Sequence, residues 1–570
     1  MSEEIEMSEK LKPGALLESY KDFVDWNAYY VDKTLFIEQV LNNPNKVQLY
    51  TRPRRFGKTL SLMTLKTFLE KKVEHNGNLF DPHPYFEGKK IMSCGDRILS
   101  KMGQHPVIFL TLKDCGQKTY SGAINQFKKV FSNCFQEFED KIAGVLTHPF
   151  DLEQLDQFRC GTSSDDNLCI ALQKLTRWIV LATGVKPYIL IDEYDVPLQW
   201  AYLNGYYDKM VSFIRSLFSS GMKTNDDNFE KAVLTGCMRV SKESIFTGFN
   251  NLDVYSISTK MDREYFGFTD DEVKDMLDYY DLTDHWQEVH DWYDSYIFGT
   301  EYVFNPYSLV QCVKNLAMKD EFAVRCYWVN SSGNDIIRDL VRHQECRDDI
   351  EALLRGEPIY KPIYEAITYR DLDSFSENIW TFLYFTGYIK SLSKRQIGSK
   401  WIHELVLVNR EIKSIFPQFI DILFTETVKK QDLSAFYQAV WDKKADVIKK
   451  FIDTILFNMV SYYDTLENFY HGMMLGILSQ LHQYKIKSNR EDGLGRTDIV
   501  IRDLYQYRAV IFEFKWNKDA DQLPKLPQIA LAQVRDKKYA EAVHAEGYKT
   551  VYAVGIGFCE KVCEVEIEEM

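Results

Sequence analysis

Two stretches of this sequence carry residues whose types and spacing could do chemistry on phosphates. The first is Gly57-Lys58-Thr59, which lies between the apolar segment 47–50 and a helical pattern. In a strand, short loop and helix arrangement, backbone amides and the positive helix N-terminus attract phosphate oxygens. The lysine can reach the β- and γ-phosphates and the threonine hydroxyl can hold Mg²⁺, so we expect ATP and Mg²⁺ here. Because Arg52 stands where this motif usually opens with glycine, a basic turn before a surface helix is the alternative.

The second stretch lies near the carboxyl end. Asp498 is in a predicted strand at 497–501, and Glu513 and Lys515 are in another at 509–515. Residues two apart in a strand point to one face, and adjacent antiparallel strands can bring Asp498 beside Glu513. Two carboxylates suit Mg²⁺, which can present a water as hydroxide. Lys515 can orient that water or neutralise the phosphate in the transition state.

Neighbouring segments could complete this carboxylate site. Glu467 and His471 are four apart on a predicted helix at about 464–484, so either can join the metal ligands. A turn-rich loop is predicted at 488–496, and a helix after the strands carries Gln533, which could support the lysine or a phosphate. A last strand is predicted at 549–555. Residues 485–538 contain 12 Lys and Arg against 8 Asp and Glu, a net of +4, which favours a phosphate backbone as partner, with a mixed solvated face as the alternative.

Acidic and polar residues end two further apolar strands in the first half of the chain. The strand at 188–192 ends in Asp192, which would hold Mg²⁺ through water, and Glu193, which would orient and deprotonate the attacking water. The strand at 231–236 carries Thr235, a candidate sensor of the γ-phosphate, and Arg239 follows as a candidate charge-stabilising arginine. A plain strand cap and a surface arginine are the alternatives for these last two residues.

The elements that must position these residues define the fold. Four strands at 47–50, 106–112, 188–192 and 231–236 are separated by helices, which predicts a parallel sheet with right-handed crossovers. A nucleotide should lie at the carboxyl ends of such strands. The predicted fold class is therefore α/β multidomain: a P-loop parallel-sheet ATPase domain, a helical connector and a C-terminal restriction-endonuclease-like α/β domain.

Taken together, four motifs resemble the AAA-ATPase-like family over roughly residues 14–315. The motifs are 52–59, 30–34, 191–195, and 234–236 with 239–242. Members of that family also carry arginine where the first P-loop glycine is expected, so Arg52 fits the resemblance. The nucleotide-binding residues that it implies are Arg52, Arg55, Phe56, Gly57, Lys58, Thr59, Asp192, Thr235 and Arg239, with Glu193 as a catalytic residue. Segment 30–34 either contacts the nucleotide base or only starts a helix, with Asp32 near the cap.

The segment 467–539 resembles the PD-(D/E)XK nuclease superfamily domain that accompanies this ATPase family. The residues carried over are Glu467, His471, Asp498, Glu513, Lys515 and Gln533. The usual Pro-Asp dipeptide is Thr497-Asp498 here, a change that spares the carboxylate.

Length, composition and cysteine usage bound the remaining properties. We predict a disordered segment at 1–13, an ATPase-like domain at 14–315, a connector at 316–449, and a nuclease-like domain at 450–570. The connector is predicted to be mostly helical, and a winged-helix-like fold is one interpretation of it. A short pair of β-like segments is predicted at 387–392 and 405–408. The formal net charge of −14 argues against a chain that coats nucleic acid non-specifically along its whole surface, and it is compatible with a local basic groove.

The cysteines and the hydropathy pattern predict a compartment. Eleven scattered cysteines favour reduced thiols and a cytoplasmic location, or a nuclear one in a eukaryote. Because the N-terminus is polar, we expect no secretory signal. The sequence contains no run of about 18 apolar residues, so we expect no membrane-spanning helix. Cys559 and Cys563 lack a second nearby Cys/His pair, so we expect no zinc site.

These observations predict an ATP-binding P-loop module coupled to a Mg²⁺-dependent nuclease that cleaves nucleic acid, with DNA favoured over RNA. A nucleotide-dependent switch or scaffold whose C-terminal domain binds nucleic acid or protein without cleavage is the main alternative. An ATPase motor whose C-terminal domain only recognises ends or junctions is a third. A homo-oligomer is compatible with either module.

Overall fold

The structure of the chain is a computed structural model. It describes residues 11–13, 17–74, 77–238, 245–246, 249, 252–260, 264–294, 296–328, 346–365, 369, 378–398, 400–415, 434–457, 467–478, 485–492 and 495–570. The chain divides into two compact units. The first comprises Met1–Ser331 and Pro358–Lys413, and the second comprises Ser332–Glu357 and Ser414–Met570.

The α-helices of both units are numbered here in chain order. They are α1 (Tyr20–Asp25), α2 (Leu35–Asn42), α3 (Lys58–Leu69), α4 (His83–Phe86), α5 (Asp96–Leu99), α6 (Tyr120–Ala143), α7 (Pro149–Arg159), α8 (Asp165–Leu168), α9 (Ala171–Thr183), α10 (Val196–Leu203), α11 (Tyr207–Phe218), α12 (Asp270–Tyr279), α13 (Trp286–Tyr293), α14 (Pro306–Ala317), α15 (Arg347–Arg355), α16 (Asn378–Thr386), α17 (Arg410–Lys413), α18 (Ser434–Trp441), α19 (Ala445–Phe457), α20 (Glu467–Leu478), α21 (Leu526–Asp536) and α22 (Tyr539–Ala545). The second unit contains α15 and α18–α22, and the first contains the others.

The first unit is built on a five-stranded parallel sheet. After the short pair β1 (Lys12–Pro13) and β2 (Ala28–Tyr29), the sheet contains β3 (Val47–Thr51), β4 (Val107–Thr111), β5 (Tyr188–Asp192), β6 (Ala232–Gly236) and β7 (Leu252–Tyr255), in the order β4-β5-β6-β3-β7. All residues of β3, β5 and β6 are buried. This burial agrees with their near-continuous apolar sequences, which are typical of parallel strands covered by helices on both faces. The predicted parallel sheet is confirmed. Its edge strand β7 was not predicted, because its four residues alternate in polarity and are only half-buried.

Local sequence explains the longest covering helix, α6. Thr119 caps its first turn by accepting the amide of Gly122. Its buried side chains recur every three or four residues, including Phe127, Phe131 and Phe138, which gives one apolar stripe facing the unit's interior. The capping threonine and the apolar stripe thus account for both the start and the orientation of α6.

The later part of the first unit contains antiparallel strands. A hairpin pairs β8 (Tyr296–Phe298) with β9 (Glu301–Val303), and a three-stranded sheet places β12 (Lys400–Leu407) between β10 (Ile359–Pro362) and β11 (Ile389–Ile397). The β-like pair predicted in the connector is thus present, as a longer hairpin. The domain boundaries drawn from the sequence stay a prediction.

Glu411 in α17 is a buried acid that makes the stability of the first unit depend on pH. Its carboxylate accepts the amides of Tyr327 and Trp328 at 2.8 and 3.1 Å, yet burial raises its pKa from 4.5 to about 7. Because the unfolded chain ionises this group at lower pH, ionisation penalises the folded state increasingly from about pH 4.5 to 7 and fully above 7. We expect the free energy of unfolding to fall by about 3 kcal/mol over that interval.

Glu411→Gln is expected to remove this slope, which denaturant titrations between pH 5 and 8 would measure. Glu321→Gln, at an exposed position of the same unit, is the matched control and should keep the slope. A Glu411→Gln variant with the slope of the wild type would contradict the assignment.

The second unit is a mixed five-stranded sheet between two helical layers. Strands β13 (Lys485–Asp492), β14 (Gly495–Asp503), β15 (Arg508–Trp516), β16 (Thr550–Cys559) and β17 (Val562–Glu569) follow one another across the sheet, and only β15 and β16 are parallel. Alternate residues of β15 face opposite layers: Val510, Phe512 and Phe514 pack with α18–α20, whereas Ala509 and Ile511 pack with α21 and α22. This alternation is the period of two expected for a strand buried on both faces.

Two predictions in this unit were wrong in detail. The turn-rich loop at 488–496 is mostly strand, because β13 runs to Asp492 and β14 begins at Gly495. The last predicted strand is longer and is followed by β17, which the sequence did not reveal because its acidic residues obscure the apolar alternation of Val565 and Ile567.

The eleven cysteines are all free thiols, and Cys559 and Cys563 are buried. Among the residues that the structure describes, no helix is both long enough and apolar enough to cross a bilayer.

Candidate functional site

The phosphate-loop segment joins strand β3, which lies between β6 and β7 in the sheet, to helix α3. The loop turns through two left-handed residues, Arg55 (φ 69°) and Gly57 (φ 77°), and α3 begins at Lys58. Gly57 adopts this conformation at little cost, whereas Arg55 does so with some strain, which is common at functional turns. The N-terminus of α3 therefore lies at the carboxyl edge of the sheet, where its first amides and dipole favour an anion.

Lys58 is folded over its own loop. Its ammonium donates to the carbonyls of Arg52 and Pro53 at 3.0 and 2.8 Å, and only 7 % of the residue is exposed. Cys237, just past β6, lies 3.8 Å from the same nitrogen. The cation is thus held at the mouth of the loop by two carbonyl oxygens, for which phosphate oxygens are the natural replacement.

Asp192 connects the phosphate loop to the neighbouring strand. One carboxylate oxygen accepts the hydroxyl of Thr59 at 2.6 Å, and the other accepts the hydroxyl of Thr235. The parallel register places the ends of β5 and β6 side by side, so the predicted Asp192 and Thr235 do meet. A buried carboxylate beside the helix-start hydroxyl is a hard-oxygen donor set, which fits Mg²⁺.

Two acids after Asp192 have different surroundings. Glu193 has a left-handed backbone (φ 53°), and burial followed by the charge of Asp192 raises its pKa, which Lys58 partly offsets. Asp195 is buried and accepts the amides of Cys237 and Met238 at 2.8 and 3.0 Å, so it fixes the segment that follows β6. Glu193 is therefore placed as a candidate base, whereas Asp195 is a support that the sequence did not single out.

The remaining residues predicted at this site have the following positions. Phe56 is buried against Tyr296 and Phe298, at ring distances of 4.8 and 5.0 Å. Arg55 is exposed and lies over the ring of Tyr307 at 4.5 Å. Arg239 lies outside the described residues.

Arg52 is a fully buried member of an ion pair. Its guanidinium donates to both carboxylate oxygens of Glu264 at 3.3 Å and to the carbonyls of Thr51 and Tyr255 at 2.9 Å. It also lies 5.2 Å from the ring centres of Phe266 and Phe298. This guanidinium thus joins the start of the loop to the segment at 264–266, and a direct role in nucleotide binding stays a prediction.

Breaking this ion pair is expected to destabilise the first unit strongly. Arg52→Leu would leave the Glu264 carboxylate buried without its cation and lower the free energy of unfolding by roughly 3–5 kcal/mol. The double variant Arg52→Leu with Glu264→Leu should recover much of that loss, because no unpaired charge remains. Denaturant titration of the single and double variants tests this. Equal destabilisation of both would show that the pairing of charges is not what matters.

Segment 30–34 lies at the start of α2. The Asp32 carboxylate accepts the amide and hydroxyl of Thr34 at 2.9 and 2.6 Å and the amide of Lys90 at 2.7 Å. Lys33 donates to Glu272 at 2.7 Å. These contacts support the interpretation of this segment as a helix start, with its polar groups used in local structure.

In the second unit, Asp498 lies where β14 and β15 separate. The ladder of the two strands ends at Ile499 opposite Phe512, and the carboxylate of Asp498 accepts the amide of Phe514 at 2.8 Å. The side chain of Asp498 therefore continues the ladder beyond its last backbone pair, next to Glu513. The predicted meeting of these two acids on adjacent antiparallel strands is what the structure has.

Glu513 is buried in a polar cluster on the α21 side of the sheet. One of its oxygens accepts the ammonium of Lys515 at 3.4 Å and the side-chain amide of Gln533. Its other oxygen is buried and has no hydrogen-bond partner among the residues that the structure describes. Burial and then the charge of Asp498 raise its pKa to about 7, although Lys515 opposes the shift.

A glycine in β16 lets α21 bring Gln533 to this cluster. Glu513 is paired across the sheet with Gly555, and a Cβ on that glycine would collide with the carbonyl of Pro527 and come within 2.9 Å of Leu531 Cγ. Any larger residue would push the helix away from the sheet. This contact could not be predicted from the sequence, because the glycine and the helix residues that it meets are more than twenty positions apart.

His471 and Glu467 lie in α20. His471 Nε2 donates to the backbone carbonyl of Asp498 at 3.0 Å, and its ring lies 6.0 Å from that of Phe514. The imidazole thus holds the backbone of Asp498. The side chain of Glu467 lies outside the described residues, although its backbone begins α20 one turn before His471.

The cluster partly fits the metal that the motif implies. Two adjacent carboxylates with an unpartnered, buried oxygen on Glu513 are a donor set for a hard divalent cation. Within the described part of the chain, however, no group of three or more His, Cys, Asp or Glu side chains is arranged to hold a metal. Asp498 and Glu513 would therefore need water, substrate oxygens or Glu467 as further ligands.

Family models match the two regions of the chain that contain these sites. The family model described as predicted AAA-ATPase matches residues 16–246, and the PD-(D/E)XK nuclease superfamily model matches residues 465–568. A relative from Azotobacter chroococcum mcd 1, named an uncharacterized protein in the vnfD 5' region, is 25% identical over 565 residues, which are 93% of each chain. A solved Walker-type ATPase of Pyrococcus abyssi covers 68% of this chain and 94% of its own, at 14% identity and a TM-score of 0.34. The chain thus contains an AAA-ATPase-like domain followed by a PD-(D/E)XK nuclease superfamily domain.

Proposed function

We propose that this chain binds and hydrolyses ATP in its first unit and cleaves nucleic-acid phosphodiester bonds with Mg²⁺ in its second. The observation that carries the nuclease assignment is the buried Glu513 carboxylate, which lies beside Asp498 and Lys515 and has one oxygen without a hydrogen-bond partner in the described part of the chain. Leaving a carboxylate oxygen buried without a partner costs stability, so a site that needs it explains its retention.

In the first unit, the proposed roles follow from position. The ammonium of Lys58 would leave its two carbonyls for the β- and γ-phosphates, and the α3 amides would donate to the same phosphates. Thr59 and Asp192 would hold Mg²⁺, and Thr235 would report on the γ-phosphate through its bond to Asp192. Glu193 would orient and deprotonate the attacking water, and its raised pKa suits a proton acceptor.

In the second unit, Asp498 and Glu513 would hold Mg²⁺. When bound, the metal supplies an activated water and positive charge at the phosphate. Lys515 contributes a fixed cation on the same face of β15, where it would neutralise charge that develops on the phosphate. Gln533 holds the Glu513 carboxylate in place, and His471 holds the backbone of Asp498.

Coupling of the two sites is part of the proposal: ATP binding or hydrolysis would gate access of nucleic acid, with DNA preferred over RNA, to the second unit. The domain limits of 14–315, 316–449 and 450–570, the cytoplasmic location and a homo-oligomeric state are proposed on the grounds given by the sequence.

A non-cleaving switch is the second candidate, and two observations favour it. The described residues contain no cluster of three metal-binding side chains, and a pKa near 7 leaves Glu513 partly protonated at neutral pH. In that case the second unit would bind nucleic acid or protein without hydrolysis. An ATPase motor whose C-terminal domain only recognises ends or junctions would also leave the nucleic acid uncleaved.

A single preparation assayed for both activities separates these functions. Plasmid nicking and phosphate release are measured with Mg²⁺ or Mn²⁺, with excess EDTA, and with ATP present or absent. Metal-dependent nicking that ATP modulates supports the proposed function. Phosphate release stimulated by DNA without nicking favours the motor, and nucleotide binding with neither activity favours the switch.

A further inference from the structure

The three arginines of the phosphate loop have different surroundings. Arg52 is buried in an ion pair and Arg55 is exposed, whereas Arg54 is half-buried and turns toward α10. Its Nη2 donates to the side-chain oxygen of Gln199 at 2.9 Å. The amide of Gln199 in turn donates to the carbonyl of Asp195 at 3.0 Å, so this contact lies in the first turn of α10, directly after the acids that follow β5.

The backbone of Arg54 is held from outside the loop. Its carbonyl accepts the side-chain amide of Asn305 at 3.4 Å, and Asn305 is fully buried. The preceding residue, Pro53, packs against Gly387, where an added Cβ would lie 2.9 Å from Pro53 Cβ. A guanidinium that starts from a fixed backbone and already has a hydrogen-bond partner loses little freedom when it binds an anion.

The charge of Arg54 is weakly neutralised. Within the described residues, no acid forms an ion pair with it. The neighbours with the strongest electrostatic effect on it are Cys237, Tyr388 and Tyr369, and burial raises the pKa of all three, so they stay neutral at pH 7. Asp195 also acts on it, but that carboxylate already accepts two backbone amides. Because a guanidinium is always charged, this half-buried cation is suited to bind an anion.

Arg54 and Lys58 act on the same groups at the ends of β5 and β6. Burial and then the charge of Asp192 raise the pKa of Glu193, and Lys58 and, less strongly, Arg54 oppose that shift. Burial likewise raises the pKa of the Cys237 thiol, and both cations again oppose the shift. The sulfur of Cys237 is 3.8 Å from the Lys58 ammonium. The two cations therefore both lie close to Glu193, the candidate base.

Hydrolysis at this site needs positive charge at the γ-phosphate. The attacking water forms a bond to the γ-phosphorus and gives a proton to Glu193, while the bond from that phosphorus to the bridging oxygen breaks and leaves its electron pair on ADP. An arginine that contacts the γ-phosphate oxygens stabilises the charge that they carry in the transition state. Because the base lies beside this phosphate, a cation close to both Glu193 and Lys58 is within reach of it.

We propose that Arg54 contacts the γ-phosphate oxygens and stabilises the charge that develops on them, and that it acts within its own chain. The inference rests on the proposed ATP hydrolysis by the first unit and names the residue that supports this step. Gln199 is the positioning residue for the guanidinium. Arg239, the candidate for this role from the sequence, lies outside the described residues.

Hydrolysis and nucleotide binding by the full chain separate this role from a structural one. Arg54→Ala is expected to lower kcat for ATP with Mg²⁺ roughly 10³-fold, the lower end of what such an arginine contributes. It should change the Kd of labelled ADP less than about threefold, because ADP lacks the γ-phosphate. It should weaken binding of ADP with aluminium fluoride, a mimic of the transferring phosphoryl group, roughly 10²-fold. Arg54→Lys keeps the charge without the planar fork and should recover only part of each loss.

Two controls accompany these variants. Arg177→Ala removes an exposed arginine from α9 of the same unit and should leave kcat and each Kd within about twofold of the wild type. An equimolar mixture of Arg54→Ala and Lys58→Met tests whether the arginine acts in its own chain, because Lys58→Met offers an intact Arg54 but no triphosphate site. We expect no hydrolysis beyond that of the separate variants. Recovery in the mixture would assign the arginine to a neighbouring copy and overturn the proposal.

The outcomes distinguish this proposal from the proposed function. Wild-type kcat and Kd values in Arg54→Ala overturn the role of Arg54 and leave ATP hydrolysis by this unit standing. An equal loss of ADP and of a non-hydrolysable ATP analogue shows that Arg54 only holds the loop, and this also overturns the proposal. If the wild type binds ATP without hydrolysing it, the proposed hydrolysis fails. In that case a loss of affinity for the ATP analogue in Arg54→Ala, with ADP binding unchanged, supports the γ-phosphate contact, and unchanged affinity for both overturns it.

Discussion

Replacing Lys515 with alanine is expected to abolish nucleic-acid cleavage and leave ATP binding unchanged. The ammonium of Lys515 lies 3.4 Å from Glu513 Oε1 and 3.0 Å from the carbonyl of Phe514. Glu513 is 1 % exposed, so this cation is the nearest compensation for a carboxylate whose pKa burial has already raised. Removing one preorganised charge from such a site costs roughly 10²–10³-fold in rate. Single-turnover nicking of plasmid with Mg²⁺ or Mn²⁺ measures the loss.

Lys518 is the matched control for this variant. It lies three residues further along the chain and is exposed, so Lys518→Ala removes the same charge at nearly the same place. Its nicking rate should stay within a few-fold of the wild type. Undiminished cleavage by Lys515→Ala would remove the nuclease assignment.

Glu513→Gln gives an independent reading of the same cluster. Glutamine keeps the size of the side chain and an oxygen that can accept from Gln533, but it removes the buried charge. Because the folded state raises the pKa of Glu513 to about 7, ionisation opposes folding at pH 8, and the neutral side chain should raise the midpoint of unfolding there. A variant that is inactive and more stable shows a charge retained for function. A variant that is inactive and less stable would show that Glu513 is needed for packing.

Much of this cluster could be predicted because its geometry follows from strand periodicity. Glu513 and Lys515 are two apart in a strand, which fixes their shared face, and Asp498 lies on the preceding antiparallel strand. The phosphate loop could be predicted equally well, because Gly57, Lys58 and the buried strand before them are close together in the sequence. In both cases the chemistry depends on residues that are neighbours in sequence or in one hairpin.

What the sequence could not reveal are partners set by long-range packing. Glu264 pairs with Arg52 across 212 positions, and nothing local to either residue specifies the other. A buried arginine requires an acid, so the need for a partner was predictable but its identity was not. Asp195 likewise acts on amides more than forty positions away. The β13–β14 hairpin was predicted as a loop because glycines at 493 and 495 were weighed above the pairing of the flanking strands.

Replacing Lys58 is expected to remove ATP binding, and this is the largest effect predicted for the first unit. Lys58 is the first residue of α3, and its ammonium is held by the carbonyls of Arg52 and Pro53, at the position where a triphosphate would lie. Without it, the phosphates meet backbone amides but no fixed cation from this helix. Lys58→Met keeps the length and burial of the aliphatic chain and should weaken binding of labelled ATP at least tenfold, as photocrosslinking and titration would measure.

Two controls separate loss of ATP binding from loss of charge or of stability. Lys66→Ala removes a lysine two turns further along α3, where the side chain pairs with Glu70, and it should leave ATP binding unchanged. Loss of the two carbonyl contacts costs Lys58→Met some stability, so binding is compared at a temperature well below its unfolding midpoint. If labelled ATP still crosslinks to folded Lys58→Met as it does to the wild type, the triphosphate is not bound by this loop. If ATP binding is lost while nicking without nucleotide continues at the wild-type rate, the nuclease is complete without ATP. The gate that we propose then requires that added ATP changes nicking by the wild type and has no effect on Lys58→Met.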